Sequence, residues 1–187
     1  MQGIPLNERK RLGALLDDRP QTEVMAMIPQ FSQAETDNFV APPAQIPEAL
    51  GVLMFNMERG VNLPEIQEFL RDCPDIQPFD VILANELDDG CARSGNKNTA
   101  RELAQAFGLN YAWGLEFIEL VNDENAKGFH GNAVFSRWPI RRAGVIRLPE
   151  QYNWYFDRQK RIGGRLAVFA ELDVGGQPVG AVSIHLE

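Results

Sequence analysis

The stretch LAVFAELDVGGQPVGAVSIHLE, residues 166–187, decides the fold reading. Leu166, Val168, Ala170 and Leu172 alternate with Ala167, Phe169 and Glu171, the period-two pattern of a strand with one packed face. Gly175 and Gly176 follow, then a second run from Pro178 to Ile184. A Gly-Gly pair between two such runs marks a type I′ or II′ hairpin, because both glycines tolerate the positive φ that the turn requires. With Val174 opposite Gln177, every opposed pair sums to one index, so His185 falls opposite Leu166. The same register puts Arg165 on the face opposite His185, unless a bulge intervenes.

Upstream of the hairpin, helices and strands alternate. VLMF, residues 52–55, is a short apolar run that predicts a strand buried on both faces. A helix follows: Asn62 is placed to cap it, Pro64 sits in its first turn, and Ile66, Phe69, Leu70 and Cys73 repeat with helical spacing until Pro74. FDVILA, residues 79–84, predicts a second buried strand. Thr99 and Glu102 have capping-box spacing, Ala100, Leu103, Ala104 and Phe107 form an apolar stripe, and Gly108 stands at the C-cap position. Strands are expected over residues 111–120, 132–136 and 140–148. This order argues for a mixed α+β architecture, with two sheets packed face to face and helices outside them.

Residues 1–48 have a different texture. Asn7 is positioned to cap a helix carrying Leu12, Leu15 and Leu16. A second apolar stretch, Val24 to Ile28, lies between Pro20 and Pro29, and Pro42, Pro43 and Pro47 form a stiff connector. The expected organisation is a helical, proline-rich extension over 1–48 and one domain over 49–187. The extension drapes on the main body, lies loose or serves as a partner-binding arm. No internal repeat or low-complexity tract interrupts the chain.

Composition narrows the chemistry. The 187 residues hold 18 basic and 26 acidic side chains, a net charge of −8, and a hydrophobic content of 44% that rules out disorder for the whole. The acidic balance weighs against a protein that coats nucleic acid through its own field. Two histidines exclude a His-rich metal site. Cys73 and Cys91 form no CxxC or zinc pattern and read as reduced thiols. No apolar run approaches a membrane span and the N-terminus lacks a secretory pattern, so a cytoplasmic location is expected.

Three polar residues end buried strands: Asn56 after VLMF, Glu86 after VILAN and His185 after GAVSI. Strands of one scaffold bring such ends together. Magnesium takes oxygen ligands and keeps several waters, which suits Glu86 and Asn56; an imidazole beside a phosphate donates a hydrogen bond or a proton. The set fits metal-assisted phosphoester hydrolysis. Taken singly, each residue has a plain reading: Asn56 a turn former, Glu86 a solvated strand end, His185 a satisfied structural histidine.

VLMFNMERG, DVILANELDDG, GFHGNAVFSRWPI and RLAVFAELDVGGQPVGAVSIHLE resemble, in this order, the strand motifs of the endonuclease/exonuclease/phosphatase family, over about residues 50–187. The resemblance implies a four-layer α/β/β/α sandwich of the deoxyribonuclease-like type. It implies a hydrolase using magnesium or manganese on a phosphodiester or phosphomonoester. Glu86 matches the metal-binding glutamate, Asn56 the asparagine at the metal and phosphate, and His185 the histidine that contacts the scissile phosphate and helps the leaving group. Asn132 matches the G-N-A position, read as mainly architectural. His130, on a glycine-flanked loop, and Arg165, before a hairpin strand, are weaker substrate-binding candidates. The family's G-D-x-N and S-D-H segments do not follow in this sequence. The expectation is an N-terminal part of the domain, truncated at the C-terminus, inactive or weak alone, with an apolar face of its second sheet uncovered. The alternative is a non-catalytic binding module on the same fold. The substrate class stays open among nucleic acid, inositol phosphate and lipid head group.

Overall fold

The computed structural model describes residues 1–149, 152–156 and 158–186. The last residue of the H-L-E motif, Glu187, lies outside them. In chain order the elements are α1 (Leu6–Ala14), α2 (Gln21–Ala26), β1 (Ala34–Asp37), β2 (Val52–Arg59), α3 (Leu63–Asp72), β3 (Val81–Asp89) and α4 (Thr99–Phe107). They continue with β4 (Asn110–Glu119), β5 (Phe129–Ser136), β6 (Ile140–Arg147), β7 (Arg161–Gly163), β8 (Leu166–Val174) and β9 (Gln177–Ile184).

Two sheets form. The larger has the order β1-β4-β5-β3-β2, with β7 also paired to β4; the smaller has the order β6-β8-β9. Among the described residues only β2 and β3 run parallel, and α3 makes the connection that a parallel pair requires. β3 is apolar on both faces because it is central, with β2 on one side and β5 on the other. Its odd and even residues go to different layers. Ile82 and Ala84 join Tyr111, Trp113, Ala133 and Phe135 against Leu70, Leu103 and Ala104 of the helices. Val81 joins Ala112 and Val134 against Leu166, Val168, Ala170 and Leu172 of the smaller sheet. The layers are therefore helices, larger sheet, smaller sheet. Leu12, Leu16, Val24, Ile28 and Phe31 from the first 48 residues pack into the helix-side core, and β1 pairs with β4.

The hairpin follows its sequence pattern. Val174 pairs with Gln177 and Ala167 with Ile184, and Gly175 and Gly176 both have positive φ, 58° and 90°. Other expectations need correction. VLMF is buried on one face only: Leu53 and Phe55 meet the helix-side core, whereas Val52 and Met54 are 58% and 74% exposed. The cause is position, since β2 is an edge strand and β9 lies over β3 and β5. Ile146, Val182 and Ile184 are likewise exposed on the smaller sheet. α1 starts at Leu6 behind Pro5, so Asn7 is inside the helix; proline's fixed φ makes it a natural entry residue. α4 is capped by Asn98, whose Oδ1 accepts the Arg101 N–H at 2.9 Å. The Thr99 hydroxyl instead donates to the Asp88 carbonyl at 2.8 Å. Gly108 closes the helix in the left-handed conformation as its position predicts.

Candidate active site

Two irregularities inside neighbouring strands shape the site; Asn56 and Glu86, expected at strand ends, lie within β2 and β3, because pairing resumes beyond each bulge. The β2–β3 register shifts between Asn56 and Arg59, and the β3–β5 register shifts between Ala84 and Leu87. Glu86 sits inside the second bulge with φ 58°, a conformation that costs energy for a residue with a Cβ. Asn132 holds it there: its Oδ1 accepts the Glu86 N–H at 3.1 Å. Bulges re-aim side chains, and this one turns the Glu86 carboxylate toward Asn56, whose Nδ2 donates to Oε1 at 3.1 Å. The Asn56 oxygen accepts the Glu58 N–H at 2.9 Å, so Asn56 both braces the β2 bulge and orients the carboxylate.

The smaller sheet supplies the opposite wall. The Ser183 hydroxyl lies 2.9 Å from the Ala84 carbonyl oxygen and 3.1 Å from Asn85 Oδ1, tying β9 to β3. Two residues on, His185 Nδ1 stands 3.8 Å from Glu86 Oε1. Arg165 Nη1 lies 3.4 Å from the same imidazole nitrogen and donates to Glu116 Oε1 at 3.2 Å. The imidazole Nδ1 thus lies between a guanidinium and a carboxylate oxygen. Arg165 and His185 were expected on opposite faces. They meet because both lie just outside the paired strands, where side-chain alternation no longer applies.

Beneath this lies a buried charge network. Asp88 has no exposed side-chain surface and receives two bonds from Arg93, at 2.7 and 2.8 Å, and one contact from His130 Nδ1 at 2.8 Å. Burial works against its ionisation, but the hydrogen bonds from Arg93 and His130 outweigh it and hold the carboxyl below the usual aspartate range. Arg93 also reaches Glu119 at 3.2 Å, and Arg161 lies 3.0 Å from the same oxygen. Phe117 stacks on His130, with Arg161 and Arg165 over its ring at 5.0 and 5.5 Å.

Of the residues singled out in the sequence, Asn56, Glu86, Asn132, Arg165 and His185 come together. His130 is not in a loop: it lies in β5, 3% exposed and committed to Asp88. Glu116 and Asp88 were missed. A fully buried glutamate in the run YAWGLEFIEL was the available signal, because a carboxylate in an apolar strand needs a partner. Among the described residues, Glu116 Oε2 and Asn132 Nδ2 are buried and find no hydrogen-bond partner.

The donor set fits a hard cation bound through few protein ligands. The Glu86 side chain is 23% exposed, so its carboxylate reaches solvent. Among the described residues no three acidic, cysteine or histidine side chains gather as a ready cage. Magnesium does not need one, since it keeps several waters and takes one or two carboxylates plus phosphate oxygens. Among the described residues no helix is long and apolar enough to cross a membrane.

No protein-family profile and no curated protein matches the chain. Solved structures do. The chain is similar to an endonuclease/exonuclease/phosphatase family protein from Leptotrichia buccalis C-1013-b, with a TM-score of 0.51 and 19% identity over 74% of this chain and 55% of that one. It is also similar to a 3′ phosphatase from Neisseria bound to a product DNA hairpin, with a TM-score of 0.42 and 19% identity over 73% of this chain and 41% of that one. The chain thus carries the α+β fold of an endonuclease/exonuclease/phosphatase family protein. It spans about half the length of the structures it matches, 55% and 41%.

Proposed function

We propose that this chain supplies part of the active site of a metal-dependent phosphoesterase. The observation that carries the reading is the placing of Asn56 in β2 and His185 just past β9 beside one oxygen of Glu86 in β3, at 3.1 and 3.8 Å. Glu86 would hold magnesium or manganese. A bound cation would neutralise charge that develops on the phosphate oxygens during in-line attack by water. The chain's own groups do the positioning. Asn56 fixes the carboxylate rotamer, and Asn132 fixes the backbone that presents it. Arg165 and Glu86 flank His185 Nδ1, so that Nε2 is the edge left to face a phosphate or leaving oxygen. With one carboxylate beside the histidine, turnover by this chain is expected to be weak. The substrate is a phosphoester; its class is not set by the fold.

The test is thermal. Magnesium or manganese at about 100 times its dissociation constant contributes ~2.7 kcal/mol. For a chain of this length that raises Tm by roughly 5–10 °C. Glu86→Gln is expected to abolish the rise. An equal rise in the variant, or none in the parent protein, overturns the metal assignment and favours a non-catalytic binding module.

A further inference from the structure

The first 48 residues form one side of a cavity whose lining includes neither Glu86, Asn56 nor His185. It measures about 360 Å³ and is bounded by Met25, Ile28 and Phe31 on one side and by Leu148, Pro149 and Arg165 on the other. This is within the size range of small-molecule sites, and the walls are mainly apolar, as such sites require. Its polar edge is not random. Arg165 is the residue whose guanidinium touches both Glu116 and His185. One arginine side chain is therefore a wall of the cavity and a component of the candidate active site. The neighbouring rim is stiff: Arg147 stacks over Phe31 at 4.7 Å and donates to the carbonyls of Phe31 and Gly164 at 2.9 and 3.0 Å.

We infer that the cavity receives the apolar organic group of the phosphoester substrate. This rests on the phosphoesterase reading and extends it to the substrate's other half. A phosphate beside Glu86 and His185 would set its ester substituent toward Arg165, whose charge suits the phosphate and which also lines the cavity. The cavity is mainly apolar, with Thr22, Ser32, Arg147 and Arg165 as its polar members, a balance that favours an apolar group over a polar base or sugar. A net charge of −8 also opposes a long polyanion. The occupant is an alkyl or aryl group carried on phosphate, not a nucleotide chain. The N-terminal segment thereby acts as a specificity element.

The experiment compares binding of inorganic phosphate, hexyl phosphate, phenyl phosphate and a short single-stranded DNA to the full chain, with magnesium, by titration calorimetry. Hexyl or phenyl phosphate is expected to bind at least tenfold tighter than inorganic phosphate; which of the two gains more tells alkyl from aryl. Ala26→Trp fills the cavity from an exposed position on its rim, and Thr22→Trp does so from another. Either variant is expected to remove the tenfold gain and to leave inorganic phosphate binding unchanged. Full retention of the gain in both variants overturns the inference, as does DNA binding that both variants weaken. Glu86→Gln separates the two claims. Loss of inorganic phosphate binding in that variant supports the phosphoesterase reading. If it leaves every affinity unchanged while the cavity variants still abolish the gain, the phosphoesterase reading fails and the cavity stands as a separate apolar site.

Discussion

Asp88→Asn tests the buried network under the cleft. Asparagine keeps the shape but removes the charge that two arginine N–H bonds, at 2.7 and 2.8 Å, and the His130 contact converge on. Its amide also turns a donor toward groups that donate. Breaking one partner out of a buried ion pair costs ~3–5 kcal/mol. The lower end applies, because the Arg93 side chain is 27% exposed and keeps Glu119 at 3.2 Å. A loss of about 3 kcal/mol lowers Tm by roughly 6–12 °C in a chain of this length. The pH dependence gives a second, independent sign. The native carboxyl titrates below its ordinary value of 3.8, so the unfolded state binds more protons in that interval and stability rises with pH across it. The gap between parent and variant is therefore full above about pH 5 and closes as pH falls through 3.8 and below. Urea unfolding of both proteins across this range measures it, with the slope m checked for constancy. A gap under about 1 kcal/mol at pH 7, or one that fails to narrow in acid, would refute the account of Asp88 as the ionised centre of the network.

Two further outcomes follow from packing. A Cβ added at Gly131 would lie 1.9 Å from the Gly114 carbonyl oxygen of the paired strand, so Gly131→Ala is expected to destabilise by about 3 kcal/mol or more; an unchanged urea midpoint contradicts the close approach of β4 and β5. Cys91 is 1% exposed, donates to the Phe129 carbonyl at 3.3 Å, and burial pushes its thiol well above the usual range, whereas Cys73 is only half-buried. Alkylation of the native protein, read by mass spectrometry, is expected to mark Cys73 and to spare Cys91 until denaturant is added.

How much of the site was legible depends on whether a residue announces itself locally. Asn56, Glu86 and His185 did, because each ends a recognisable apolar run and the hairpin register could be counted through Gly175-Gly176. β1 did not, since AETD has no apolar alternation and becomes a strand only by pairing with β4. Glu116 and Asp88 also stayed hidden. A buried carboxylate is stabilised by partners such as Arg165 and Arg93, and Arg165 lies 49 residues away from Glu116. The exposure of Val52 and Met54 escaped for a related reason: an apolar run records that a strand can be buried, not that a second layer reaches it.

Local sequence determined most of the helices and strands, β1 excepted, because periodicity, caps and turn glycines act over a few residues. Tertiary structure decided the rest. Two adjacent bulges, one holding Glu86 at φ 58° against Asn132, turned its carboxylate toward Asn56. Arg165 joined His185 only because both chain ends leave the ladder at the same place. Such arrangements depend on hydrogen bonds between residues tens of positions apart. Their geometry is set only once the sheets have docked.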